Sequence, residues 1–138
     1  MGAIRIELLA GPSRGGGTLH RALRADVPFP FVAVGGDAGP AYEVVHEDGA
    51  PDGAGGVVLI DPFAVPPDAA AAFVADWHAG RDELAAHRGY QGTRLYRAVG
   101  PADFRFVAFS RWSSPLAFAR AAGGPAVAHA AMYLVAPG

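Results

Sequence analysis

The chain contains no cysteine, no lysine and no asparagine, and each absence narrows its possible chemistry. Without cysteine there is no disulfide, no thiolate nucleophile and no cysteine-ligated metal. All 11 basic residues are therefore arginine, which together with abundant alanine, glycine, proline and valine is typical of a gene with high GC content. The missing asparagine becomes important for the candidate site below.

Charge and long apolar runs are also scarce. Only 17% of residues are charged, the net charge is −2, and no basic cluster indicates a nucleic-acid partner. No segment approaches the run of about 20 apolar residues that a membrane span requires. The first residues lack the basic segment of a signal peptide, so we predict a cytoplasmic protein that does not bind membranes.

Apolar residues, by contrast, are plentiful. They make up 51% of the 138 residues, enough for the core of one domain. This is more apolar material than a small monomer easily buries, so we predict a homodimer.

The chain divides at a turn-rich linker, Glu47–Gly56. Residues 1–56 predict an N-terminal extension of short strands. Within it, Phe29–Val34 follows prolines and is predicted to be an edge strand or an extended segment. Residues 57–138 predict the main domain.

The main domain has a clear order of elements. Val57–Val65 predicts a buried strand, and Pro66 and Pro67 suit the entrance of a helix over about Asp68–His87. The apolar stripe of this helix is Phe73, Trp77 and Leu84, and Gly89 follows as a stop signal. Two strands (Tyr90–Val99 and Phe104–Ser113), a second helix from Ser114 and a last strand (Met132–Val135) complete the pattern. This β-α-β-β-α-β order predicts an α+β, ferredoxin-like unit.

A gapped internal similarity links the two regions. Thr18–Ala33 resembles Thr93–Ala108, which indicates either a degenerate copy of the later hairpin or chance in a chain of biased composition.

The main domain resembles the antibiotic biosynthesis monooxygenase family in four motifs and their order. These are LIDPFAVPP, F-x-x-x-W, RGYQGTRLYR and RFVAFSRWSSPLAF. The resemblance covers about Val57–Val135 and implies a dimeric α/β barrel. Some members oxidise aromatic polyketide intermediates without flavin or metal, close relatives degrade haem, and others on the same fold cyclise polyketides. Fold alone does not decide among these functions.

The resemblance leads to one principal prediction and two alternatives. The principal one is a cofactor-free monooxygenase of bacterial specialised metabolism that uses dioxygen on a small aromatic, polyketide-type substrate. The alternatives are a non-oxidative polyketide cyclase or isomerase, and a binding module without chemistry. No HxH or HExxH pattern indicates a metal site, and no phosphate loop is present.

Asp61 is the first candidate catalytic residue, because it is a carboxylate within an apolar run. Burial there would raise its pKa toward that of a useful base. The alternative is a solvated aspartate at a strand edge before Pro62. His78, in the middle of the first helix, is the second candidate acid or base, or else a surface histidine.

Five residues are candidates for substrate binding. Trp112 stands where the family carries a tryptophan beside its pocket, although a core position explains it equally well. Arg97 could orient a phenolate or form a salt bridge. The other three are Trp77, Phe106 and His129.

Two features depart from the family pattern. Asp61 and Ala108 stand where relatives often carry asparagine, and the chain has no asparagine to substitute for either. Ala121 and Ala122 stand where a haem-ligating histidine is expected. Ala108 counts against an oxygenase, and together with Asp61 it suits the cyclase alternative. Ala121 and Ala122 count against haem degradation.

Overall fold

The computed structural model describes residues 3–11, 16–24, 26–51, 56–122 and 131–135. Eight strands and two α-helices lie in these residues. In chain order they are β1 (Ile4–Leu9), β2 (Thr18–Ala22), β3 (Phe31–Val34), β4 (Ala41–Gly49), β5 (Val57–Phe63), α1 (Ala70–Ala85), β6 (Tyr90–Ala98), β7 (Phe106–Trp112), α2 (Pro115–Ala122) and β8 (Met132–Val135). A 3₁₀ turn over Pro67–Ala69 leads into α1.

The strands form one closed barrel in the order β1-β3-β2-β8-β5-β7-β6-β4. The segment β8-β5-β7-β6 has the strand order of a ferredoxin-like unit, with α1 and α2 as its two connections. The predicted α+β class and ferredoxin-like unit are therefore confirmed. The segment β4-β1-β3-β2 repeats this strand order in the N-terminal half, with no helix among its described residues.

The two halves also share their strand register. In the N-terminal hairpin, β2 and β3 pair Leu19 with Ala33, His20 with Val32 and Arg21 with Phe31. In the C-terminal hairpin, β6 and β7 pair Leu95 with Ala108, Tyr96 with Val107 and Arg97 with Phe106. These are the segments that resemble each other in sequence, so an approximate two-fold repeat explains the similarity better than chance does.

Reciprocal hydrogen bonds tie the halves together. The Tyr42 hydroxyl donates to the carbonyl oxygen of Phe104 at 2.7 Å, and the Tyr133 hydroxyl donates to that of Phe29 at 2.6 Å. The rings of Phe29 and Phe104 meet edge to face, with centroids 5.7 Å apart. The two tyrosines occupy equivalent places, since Tyr42 pairs with Ala98 and Tyr133 with Ala22.

The barrel is closed within one chain, whereas the sequence led us to expect a second copy to complete it. β2 pairs with β8 and β4 pairs with β6, so the N-terminal extension supplies half of the wall. Of the two alternatives for Phe29–Val34, an edge strand or an extended segment, the edge strand is wrong, because β3 lies between β1 and β2. Pro28 and Pro30 precede the strand and leave both of its sides able to pair. The homodimer and the cytoplasmic location stay predictions.

Apolar side chains fill the interior of the barrel and also the space beneath the helices. The interior cluster comprises Ile6, Val32, Tyr42, Val58, Ile60, Tyr96, Ala98, Val107, Phe109 and Tyr133. Side chains of alternate residues point outward from β5, β6 and β7, where α1 and α2 cover them. No helix in the described part of the chain is both long and apolar enough to span a bilayer.

Candidate functional site

Asp61 lies on the outer face of the sheet, between the apolar cluster that contains Leu59 and the one that contains Phe63. It pairs directly with Ala108, so the two positions that depart from the family pattern are cross-strand neighbours. Opposite residues of an antiparallel pair share a face, with Cβ atoms about 5 Å apart. The methyl group of Ala108 therefore offers the carboxyl group no hydrogen bond, whereas an amide at that position could.

The Asp61 carboxyl group has no charged or hydrogen-bonding partner among the residues that the structure describes. Burial alone raises its pKa from 3.8 to about 6. A carboxyl group with this pKa is a carboxylate at neutral pH and a stronger base than an exposed aspartate. The expectation of a raised pKa, made from the apolar run around Asp61, is consistent with this environment.

A second feature of the same face is a chain of hydrogen bonds that crosses β4, β6 and β7. The Tyr90 hydroxyl donates to Asp48 Oδ1 at 2.5 Å and lies 2.6 Å from Thr93 Oγ1. Thr93 in turn donates to Ser110 Oγ at 3.4 Å, and the Trp112 indole Nε1 donates to the same oxygen at 2.9 Å. This chain connects Asp48, at one side of the sheet, to Trp112 near its centre.

Asp48 is the charged end of this chain. Arg81 of α1 donates to Asp48 Oδ2 at 3.0 Å, and His46 Nε2 lies 2.5 Å from the same oxygen. Burial, the largest single influence, raises the pKa of Asp48, but the hydrogen bonds from Tyr90 and His46 and the charge of Arg81 outweigh it and lower the pKa below its usual value. Asp48 is therefore an anchor for α1 that stays ionised.

His78 belongs to an aromatic cluster above this anchor. Its ring centroid lies 4.8 Å from that of His46 and 5.2 Å from that of Trp77, and both contacts are edge to face. Trp77 also meets His46 at 5.3 Å. The cluster is partly exposed, so His78 lies among aromatic partners but still reaches the surface.

The two candidate catalytic residues do not meet. Asp61 pairs with Ala108, Ala108 with Leu95, and Leu95 with His46, which contacts His78. Three strand spacings therefore separate Asp61 from the histidines, about 14 Å. α1 covers the surface between them, since Phe73, Val74 and Trp77 pack on Leu95 and Ala108.

The candidate binding residues lie at different depths. Trp112 and Phe106 are both fully buried. Trp112 lies between the rings of Tyr90 and Phe118. Phe106 stacks on Phe73, with ring centroids 4.7 Å apart. Arg97 forms a half-exposed ion pair with Glu43 at 2.9 Å, as its alternative interpretation predicts. His129 lies outside the described residues.

Sequence reasoning missed Asp48, Tyr90 and Arg81. Asp48 was assigned to the linker that begins at Glu47, although β4 extends to Gly49. Irregular register between Val44 and His46, and between Tyr90 and Gly92, breaks the alternation that places residues on one face. Asp48 and Arg81 were visible in the sequence as charged residues, but no local pattern indicated that both would contact Tyr90.

A metal site would need clustered ligands in the described residues, and the haem ligand that the family resemblance leads us to expect would lie on α2. No group of three histidine, cysteine, aspartate or glutamate side chains within them is placed to hold a metal ion. α2, with the sequence PLAFARAA, contains no residue that ligates haem iron.

Solved structures share this fold over nearly the whole chain. A haem-degrading enzyme from Listeria monocytogenes is 17% identical with a TM-score of 0.62, and the alignment covers 97% of this chain and 99% of that one. An anthrone oxidase-like protein is 13% identical with a TM-score of 0.65, over 98% of this chain and 90% of that one. At these identities the likeness shows the fold alone.

A shorter protein is closer in sequence. A putative monooxygenase from Shewanella loihica PV-4 is 30% identical with a TM-score of 0.54, and its whole length aligns with 62% of this chain. No curated protein matches the sequence. The model of the antibiotic biosynthesis monooxygenase family matches residues 57–132, more than half of the chain, and the protein therefore belongs to that family.

Proposed function

We propose that this monooxygenase-fold protein oxidises an electron-rich aromatic substrate of the polyketide type with dioxygen and without a cofactor. The observation that carries the proposal is Asp61, a partly buried carboxyl group with a pKa of about 6 on the face that the two helices cover. Membership of the family supports the reaction class.

Asp61 has the properties that the first step requires. Dioxygen is a triplet and reacts slowly with closed-shell molecules, but a phenolate or enolate can supply the first electron itself. The carboxylate oxygen of Asp61 would accept the phenolic or enolic proton, and a base with a pKa near the working pH does this efficiently. The apolar neighbours Leu59, Phe63 and Ala108 would keep water from the resulting anion.

Trp77, Phe106 and Trp112 would form the walls of this site, with Arg97 and His129 as polar contributors. His78 lies about 14 Å from Asp61, so it would contact the same substrate only after α1 moves. Because Phe106 and Trp112 are fully buried, substrate contact with either requires α1 and α2 to move away from the sheet. The half-exposed Arg97 needs no such movement to reach a ligand.

The test uses an anthrone, whose enol form is acidic and electron-rich, as the probe substrate. With labelled dioxygen, the anthrone methylene is expected to become a carbonyl that carries one oxygen atom from the gas, while the other atom leaves as water with the two methylene hydrogens. Turnover is expected to stop under anaerobic conditions. Asp61→Asn is expected to lower kcat by about 100-fold, the usual effect of removing a general base. Asp76→Asn, at an exposed position of α1, is the matched control. Undiminished turnover without oxygen would rule out the oxygenase.

One observation favours a second function, non-oxidative cyclisation or isomerisation. Asp61 faces the methyl group of Ala108, so the site has a base but lacks the amide that oxygenating relatives often carry. Proton transfer alone is enough for a cyclase. A product of unchanged mass, formed equally well without oxygen and lost in Asp61→Asn, would establish this alternative.

A further inference from the structure

A cavity of about 270 Å³ lies at one end of the barrel interior. Its polar and aromatic lining consists of Thr18, His20, Arg94, Tyr96, Phe109 and Arg111, and we call it the barrel-mouth cavity. Val58 of β5 also lines it, whereas Asp61 lies on the opposite face of the same strand. The cavity is therefore separate from the proposed oxygenation site.

A difference between the two halves of the barrel creates this space. With the hairpins aligned by their shared register, Arg94 corresponds to Thr18. The C-terminal half thus contributes a large cationic side chain where the N-terminal half contributes a hydroxyl group, and Arg111 lines the same cavity. The small side chain of Thr18 leaves room that a second arginine would occupy.

The two arginines are neighbours on the inward face. Arg94 pairs with Phe109, and Arg111 is two residues further along the same strand, a diagonal separation of about 7 Å. Each has partners: Arg94 donates to Glu47 at 2.6 Å and to the Tyr96 hydroxyl at 3.3 Å, and Arg111 donates to the carbonyl oxygen of Pro51 at 3.0 Å. Glu47 shows where a carboxylate can bind at this mouth.

Glu47 is also a replaceable partner. Half of its side chain is exposed, whereas 17% of the Arg94 side chain is. An exposed carboxylate of this kind contributes little stability, so an incoming carboxylate can exchange with it at small cost. Arginine binds carboxylates in a bidentate geometry that suits such an exchange.

His20 supplies a different contact. It is 7% exposed, and its Nδ1 lies 3.3 Å from the carbonyl oxygen of Val32, to which it donates. In this tautomer Nε2 is an acceptor, suited to a hydroxyl group. Phe109 holds the ring edge to face at 5.8 Å.

The cavity is slightly smaller than the roughly 300–1,000 Å³ that drug-sized ligands occupy, so it suits a single aromatic ring. Tyr96 and Phe109 provide aromatic walls, the arginines recognise a carboxylate, and His20 accepts from a hydroxyl group. We propose that the barrel-mouth cavity binds a small hydroxylated aromatic carboxylate, independently of the oxygenation site.

The experiment is calorimetric titration of the full chain with 4-hydroxybenzoate. We expect saturable binding with a Kd on the order of 1 mM or tighter. With the same unmodified protein, 4-hydroxybenzamide is expected to bind at least about tenfold more weakly because it lacks the charge, and benzoate more weakly because it lacks the hydroxyl group. Equal affinity for the acid and the amide would overturn the proposal, as would the absence of saturable binding.

Two substitutions locate the site. Arg111→Gln is expected to weaken 4-hydroxybenzoate binding at least about tenfold. The matched control is Arg120→Gln, at an exposed position on α2, which is expected to bind like the unmodified protein. Equal binding by both variants would place the ligand elsewhere and overturn the assignment. If Arg111→Gln does not fold, the comparison of the three ligands still decides.

Discussion

At the residue scale, Asp61 combines a proposed catalytic role with a cost in stability. Burial raises its pKa from 3.8 to about 6, so the folded chain keeps this proton at a pH where the unfolded chain has lost it. The free energy of unfolding therefore falls as the pH rises from about 4 to about 6, and the loss persists above that range. A pKa difference of this size corresponds to about 3 kcal/mol.

Asp61→Asn tests this cost, because the amide has a similar shape and cannot ionise. We expect the substitution to raise the free energy of unfolding by about 1–3 kcal/mol near pH 8 and to change it little near pH 4, measured by urea denaturation. Asp76→Asn is the exposed control and should change stability by less than about 0.5 kcal/mol at either pH. An equal effect of Asp61→Asn at both pH values would contradict the assigned pKa.

The face and the apolar surroundings of Asp61 could be predicted from the sequence, whereas the polar chain on the same face of the sheet could not. Alternation along Val57–Phe63 places Asp61 on the same face as Leu59, and the structure agrees. The polar chain from Asp48 to Trp112 escaped prediction because it crosses three strands, and two of them have irregular register. Local patterns do not specify which strands become neighbours.

At the scale of the elements, α1 is held to the sheet by apolar contacts and one charged anchor. Its 16 residues begin after a 3₁₀ turn, within the predicted range of Asp68–His87. The helix stops before Gly89, where φ is 96° and a Cβ atom would lie 2.5 Å from the Cβ of Ala117. The predicted stop at Gly89 thus has two causes, backbone conformation and the close approach of α2.

The charged anchor leads to a prediction about Asp48. Asp48→Asn removes the charge that Arg81 and His46 share and is expected to lower the free energy of unfolding at neutral pH by about 2–4 kcal/mol. Asp82→Asn is the matched control, since Asp82 pairs with the same Arg81 but its side chain is 67% exposed. The control should cost less than about 1 kcal/mol. Equal losses in the two variants would show that Asp48 is not the anchor.

The pKa of Asp48 also fixes the pH range of this contribution. Because the folded pKa lies below the unfolded one, the stability that Asp48 contributes is fully present above the unfolded value. It is lost as the pH falls through the folded pKa. The destabilisation caused by Asp48→Asn should therefore shrink in acid. The effect of Asp61→Asn also shrinks in acid but has the opposite sign, because that substitution stabilises the folded chain.

At the scale of the whole molecule, two halves of unequal composition form one barrel. The helices and the resemblance to a family were visible in residues 57–138, so this half could be predicted. The other half lacks helices among its described residues, and its short strands gain their identity only from partners far away in sequence. This is why residues 1–56 were expected to be an extension rather than half of the wall.

The approximate two-fold repeat predicts the behaviour of the C-terminal half on its own. In a fragment of residues 57–138, β6 and β8 lose their partners β4 and β2. Unpaired strand edges readily recruit another chain, so we expect two fragments to close a barrel together. Light scattering after size-exclusion chromatography should give twice the fragment mass. A folded, monomeric fragment would contradict the expected dimer of fragments. The same measurement on the full chain tests the separate prediction that the whole protein is a homodimer.

The reciprocal tyrosine bonds have a consequence for how the chain folds as it is synthesised. The bond from Tyr133 to Phe29 joins residues 104 positions apart, and the bond from Tyr42 to Phe104 joins residues 62 apart. Contacts between such distant residues form slowly, because a large loop must close before they contribute. β2 has no partner on one side until β8 has left the ribosome. The nascent N-terminal half therefore has an unpaired strand edge for most of translation.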